Sequence, residues 1–192
     1  MVFSAVVILS ACRPGAQASC ELQDLAIDAA SGDPVAQYNL AVEFYTGKRI
    51  ARDYARAAVL WRQSAARGNT TAKSNLGFLT YHGWGVRADP ALAVRLLTEA
   101  AASGESDANY HLGVASLEGK GTEPDRAEAY ARFRAAELMA DTADDDVGAR
   151  IAMDARAELR KLEPILLSDE RRTGEARART YASVRRARHP RA

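Results

Sequence analysis

Apolar and polar positions along this chain repeat on two scales. Within short windows the apolar residues fall near whole helical turns, as on a helix with one buried face. Over longer distances the pattern returns every 36 residues. Residues 35–70 read VAQYNLAVEFYTGKRIARDYARAAVLWRQSAARGNT, residues 71–106 read TAKSNLGFLTYHGWGVRADPALAVRLLTEAAASGES, and residues 107–142 read DANYHLGVASLEGKGTEPDRAEAYARFRAAELMADT. No gap is needed to align Ala36/Ala72/Ala108, Leu40/Leu76/Leu112, Gly47/Gly83/Gly119, Asp53/Asp89/Asp125, Ala57/Ala93/Ala129 and Trp61/Leu97/Phe133. A period of this length marks supersecondary units that bury their apolar faces only by stacking.

Each column has a physical role. Ala36, Leu40 and Tyr45 lie near one face of a first helix. The small residues Ala41, Gly77 and Gly113 let a second helix approach closely. Gly47, Gly83 and Gly119 are placed to end the first helix, where a left-handed residue costs least as glycine. Asp53, Asp89 and Asp125 are placed to cap the second helix, whose buried face carries alanine and a bulky residue four positions on. Gly68 and Gly104 stop it. Residues 21–34 align with a second helix alone and form a partial unit. After the third unit, Ala143-x-x-x-Val147-Gly148 repeats the first-helix pattern without a glycine turn, which predicts a capping helix over 143–163 that ends before Pro164.

These columns resemble the Sel1-like repeats, a subclass of the tetratricopeptide-like helical solenoids. The second repeat follows the family pattern nearly throughout, with Leu97 in place of its tryptophan; the first departs at Ala41 and Arg49, and the third at Thr122 and Ala140. The resemblance implies an all-α fold, a right-handed α-solenoid of helix-turn-helix repeats with first helices lining the concave side. It also implies a scaffold or adaptor role, often in bacterial export, envelope regulation or host contact.

Composition agrees. The chain is 47% hydrophobic but only 7% aromatic, and alanine dominates the apolar set, which favours closely packed helices over sheets. The first twenty residues read as a targeting segment. Their apolar run, Val2 to Leu9, is too short to span a bilayer. It ends in Leu9-Ser10-Ala11-Cys12, which resembles a lipobox with Cys12 as the acylated residue, although no Lys or Arg precedes the run. Ala16-Gln17-Ala18 is a competing cleavage site that would release a soluble periplasmic protein. Cys12 and Cys20 are the only cysteines and neither is expected in the folded body; with Cys12 acylated, Cys20 becomes a free or intermolecular thiol. The net charge of +1 hides an asymmetry, since eight arginines stand against one acid from Arg171 onward. With little apolar content, residues 164–192 are expected to be a basic, unstructured tail.

Candidate chemistry is thin. Gly83-Trp84-Gly85 lacks the strand and the Gly-Lys-Ser/Thr of a phosphate loop. Two cysteines without clustered histidines make no zinc site, and the acids around Asp144 lack calcium-loop spacing. No nucleophile motif accompanies His82. No cofactor, metal or catalytic residue is expected. What remains is a candidate partner-binding set on the concave helices: Asn39, Glu43, Asn75, Phe78, Leu79, His82 and His111. The expected function is a non-catalytic interaction scaffold of the bacterial cell envelope. It would hold a protein or peptide partner, reach the membrane through a lipid on Cys12, and have no nucleic-acid partner. Two alternatives stand beside it. One is a β-lactamase-like hydrolase of the cysteine-rich repeat branch, disfavoured because no repeat carries a cysteine; the other is a cytosolic adaptor.

Overall fold

The computed structural model describes residues 17–140 and 146–188, and every secondary element among them is helical. Helix α1 spans Gln17–Ser31, α2 Pro34–Thr46, α3 Tyr54–Ala66, α4 Thr70–His82, α5 Pro90–Ala101, α6 Ser106–Glu118, α7 Arg126–Ala140 and α8 Asp146–Leu162. A 3-10 turn, Glu163–Ile165, leads to α9, Ser168–Arg188. Helices pair as α2/α3, α4/α5 and α6/α7, and each hairpin stacks on the next through α3/α4 and α5/α6. The fold is therefore an all-α solenoid.

The repeated columns set these boundaries. Asp33 Oδ1 accepts from the Ala36 amide at 2.6 Å, and Asp53, Asp89 and Asp125 each accept from the amide three residues on at 2.9 Å. Gly47, Gly83 and Gly119 are left-handed and close the first helices through amide bonds back to Glu43, Leu79 and Ala115. The core is built of small residues. Ala57, Ala93 and Ala129 are fully buried, with Trp61, Leu97 and Phe133 one turn along. Opposite them, a Cβ on Gly77 would stand 2.9 Å from Leu97, and one on Gly113 2.8 Å from Phe133.

The second glycine of each turn has a separate task. Gly85 lies against the backbone of Tyr54 and Ala55 at the start of α3, and Gly121 against Pro90 and Ala91 at the start of α5. Each turn is thus seated on the second helix of the preceding unit. At the equivalent place in the first repeat stands Arg49, which instead reaches Glu43 at 2.8 Å and Glu21 at 3.6 Å. The sequence departure at Arg49 thus replaces a glycine by a side chain that forms ion pairs.

Two expectations are corrected. The segment read as an unstructured tail is, from Ser168 to Arg188, a 21-residue helix packed on α7. Its few apolar residues are spaced to dock, and Glu175 and Arg177 find partners on α7 and its cap. Ala178 and Ala182 are buried, and Gly174 lets α9 close on Tyr130. Arg177 meets both Asp125 and Glu128 at 3.1 Å, Tyr181 donates to Glu128 at 2.9 Å, and Tyr130 donates to Glu175 at 2.6 Å. The Arg132 guanidinium lies 3.8 Å over the Tyr181 ring. Cys20 lies within α1 rather than outside the folded body. Cys12 and the run from Val2 to Leu9 lie outside the described residues, as do the acids at Asp141, Asp144 and Asp145. No helix among the described residues is long and apolar enough to cross a membrane.

Candidate functional site

Hairpin stacking brings the first helices side by side and leaves a groove of about 680 Å³ along them. Helical spacing chooses what faces it. Helix α2 presents Tyr38, Val42 and Tyr45; α4 presents Thr71, Asn75 and Phe78; α6 presents Asp107, Tyr110 and His111. The fourth wall is α8, through Val147, Arg150, Ile151 and Asp154.

Aromatic rings run through this surface. Tyr45 contacts Trp61 at 5.4 Å and Phe78 at 6.4 Å between ring centroids. Phe78 contacts His111 at 4.9 Å, and Tyr110 continues to Phe133 at 5.5 Å. A branch leaves Phe78 through His82 at 4.6 Å and Trp84 at 5.2 Å, and Trp84 stacks on Tyr54 at 5.2 Å. Contacts of this kind exceed simple area burial in worth and hold the rings rigidly.

The polar groups sit among these rings. Ser74 donates to Asp107 at 2.8 Å, and burial raises the Asp107 carboxyl against the pull of that bond. The Glu105 carboxylate accepts from Thr70 and Thr71. Burial, and then the Asp107 carboxylate, raise the Tyr38 phenol. His111 is pushed down to about 4 by burial, with His82 adding a smaller repulsion, so its imidazole is neutral at physiological pH. Burial also lowers His82. Two groove donors, Trp61 Nε1 and Thr46 Oγ1, have no acceptor among the described residues.

Of the residues singled out from sequence, the fold brings Asn75, Phe78 and His111 together in the groove. The others fall elsewhere. Leu79 is fully buried in the core with Trp61 and Leu76, because it sits one position past Phe78 and turns inward toward the helix pair. Glu43 is occupied by Arg49, Asn39 is exposed outside the lining, and His82 is exposed beside Trp84. Sequence reasoning missed Tyr38 and Tyr110, which share one repeat column, and Tyr45. It also missed the α8 wall, although Val147 and Gly148 continue the first-helix columns and both line the groove.

No group of three metal-ligating side chains occurs among the described residues. Ser74 is fully buried and donates directly to Asp107, so no histidine stands between hydroxyl and carboxylate as a hydrolytic relay needs.

Comparison with known proteins places this geometry. The Sel1 repeat family model matches residues 34–69, 70–105 and 106–136, more than half of the chain. Those segments begin on the first residues of α2, α4 and α6. The chain is similar in structure to c5321, a protective antigen present in uropathogenic Escherichia coli strains and displaying an SLR fold. The TM-score is 0.71 at 26% identity, covering 88% of this chain and 34% of that one. It therefore spans about a third of that protein's length. It is also similar to a Sel1 repeat protein from Oxalobacter formigenes, with a TM-score of 0.52 and 28% identity over 70% of this chain and 98% of that one. No curated protein sequence matches it.

Proposed function

The chain belongs to the Sel1 repeat family, and on that footing we propose that it is a non-catalytic scaffold of the bacterial cell envelope whose concave groove holds a protein or peptide partner. Sel1 repeat proteins are generally protein-interaction scaffolds. The observation that carries the concave reading is the groove between α2, α4, α6 and α8, with rigid rings and neutral His111 and Asn75 along it. Rigid amphipathic rings lose little entropy on binding, and amide and imidazole groups can hold an extended backbone.

A pull-down from envelope extract tests this reading. The wild-type chain retains a partner that an Asn75→Ala/His111→Ala double variant with an unchanged thermal melt releases; equal retention by both defeats the concave reading. Export rests on the apolar segment before Cys12. Palmitate labelling lost in Cys12→Ala assigns the lipid anchor, and an unprocessed protein in the cytosol removes the envelope placement. Turnover of nitrocefin by the purified chain would restore the hydrolase alternative.

A further inference from the structure

Helix α9 docks with one face and leaves another to solvent. Beside the docked face its charges are engaged: Glu175 accepts from Tyr130, and Arg177 meets Asp125 and Glu128. The exposed face carries Arg172, Ala176, Arg179 and Ser183 at helical spacing. Arg172 and Arg179 form no ion pair with any described residue. Their positions are two turns and about 10 Å apart along one stripe. In the sequence the same seven-residue spacing continues to Arg186, within a stretch of eight arginines against one acid from Arg171 onward. Of the acids where the helix begins, Glu163 lies 3.9 Å from Arg171 and Glu170 accepts from the Leu167 amide at 2.8 Å, while Asp169 is exposed.

A rigid cationic stripe complements an extended anionic surface, and two features choose among such surfaces. Between the arginines stand Thr173, Ala176, Thr180 and Ser183, whereas binding of nucleic-acid strands uses rings interleaved with cations. The Tyr181 ring of α9 is already covered by the Arg132 guanidinium at 3.8 Å. At the start of the helix, Ile165 and Leu167 are 54% and 66% exposed. A lipid surface accepts apolar side chains and cations together, and a soluble polyanion has use for the cations alone.

We propose that the outer face of α9 is a docking surface for an anionic lipid bilayer, with Arg172 and Arg179 against the headgroup phosphates. No α9 residue lines the concave groove, so the two surfaces are separate.

The test is cosedimentation of the purified full chain with vesicles, using Cys12→Ala so that no acyl group holds it. The vesicles are phosphatidylcholine alone or equal parts phosphatidylcholine and phosphatidylglycerol. Expected are binding to the anionic vesicles only and loss of that binding as salt rises. Arg172→Gln/Arg179→Gln should weaken it about tenfold or more, whereas Arg172→Lys/Arg179→Lys, which keeps the charge, should bind like wild type. An unchanged thermal melt in both variants assigns the difference to the surface. Equal binding to the two vesicle types, or anionic binding that the glutamine variant leaves unchanged, overturns the inference. Tighter binding of a DNA duplex than of the anionic vesicles, lost in the glutamine variant, assigns the face to nucleic acid and also overturns it. So does displacement by inorganic phosphate beyond that by sodium chloride of equal ionic strength, which would assign a single-phosphate site. None of these outcomes bears on the groove.

Discussion

Single residues decide whether adjacent units can meet. A Cβ at Gly85 or Gly121 would stand 2.3 Å from backbone atoms of the preceding unit, and both positions have positive φ. Neither contact can be relieved by a side-chain rotation. Gly121→Ala is expected to cost about 3 kcal/mol or more in urea unfolding. Arg49→Gly, at the equivalent position, is expected to cost far less, because the ion pairs it removes are solvent-screened. A second residue-scale effect is titration. His111 has a folded pKa of about 4, below its unfolded value. Protonation therefore favours the unfolded chain, and the stability present above about pH 6.5 is lost as pH falls toward 4. His111→Asn carries the amide of the other two repeats. It should flatten that loss by roughly 1–2 kcal/mol between pH 7 and pH 4.5, allowing for partial exposure of the ring. Unfolding free energies at both pH values read the difference.

At the scale of elements, α9 shows why charge density alone misleads. Its mean hydropathy is low, and an isolated peptide of that composition has little apolar surface with which to fold. Docking needs only a narrow stripe, Gly174, Ala178, Tyr181 and Ala182, against an α7 face rich in alanine. The arginines that suggested a solvated tail include Arg177, which holds Asp125 and Glu128. Asp125 is also the cap of α7, so one carboxylate serves the helix start and the docked helix. A bulkier residue at Gly174 would meet Tyr130 Cδ1 at 2.7 Å or closer. Gly174→Leu is expected to abolish amide-exchange protection across residues 168–188 while leaving that of α4 and α5 within experimental error.

Across the whole molecule, stability follows neighbour contacts. Among the described helices α1 packs chiefly on α2, whereas α7 is covered by α6, α8 and α9. In a solenoid each unit is stabilised by its interfaces, so the ends open first. Native-state hydrogen exchange is expected to rank α1 as the least protected repeat helix and α7 as the most protected. Equal protection of the two would show that the chain unfolds as one unit instead. The groove depends on the same arrangement. Its walls come from three separate repeats and the helix that follows them, so an opening of the α7/α8 contact removes a wall without touching Asn75 or Phe78.

The sequence by itself determined the repeat, its helix ends and its alanine core. Those features depend on residues close in the chain: a cap three positions before the amide it holds, a glycine at the helix end, an apolar face at helical spacing. It also pointed to Asn75, Phe78 and His111, because equivalent columns of stacked units fall on one surface. Tertiary structure decided the rest. Leu79 and Phe78 are adjacent in sequence, and only the position of Trp61 assigns one to the core and the other to the groove. Ser74 with Asp107, Arg177 with Asp125, and the closing of the groove by α8 join residues 33 or more positions apart. Such pairings depend on how the units stack and on where the chain returns after the last one, and no local pattern encodes either.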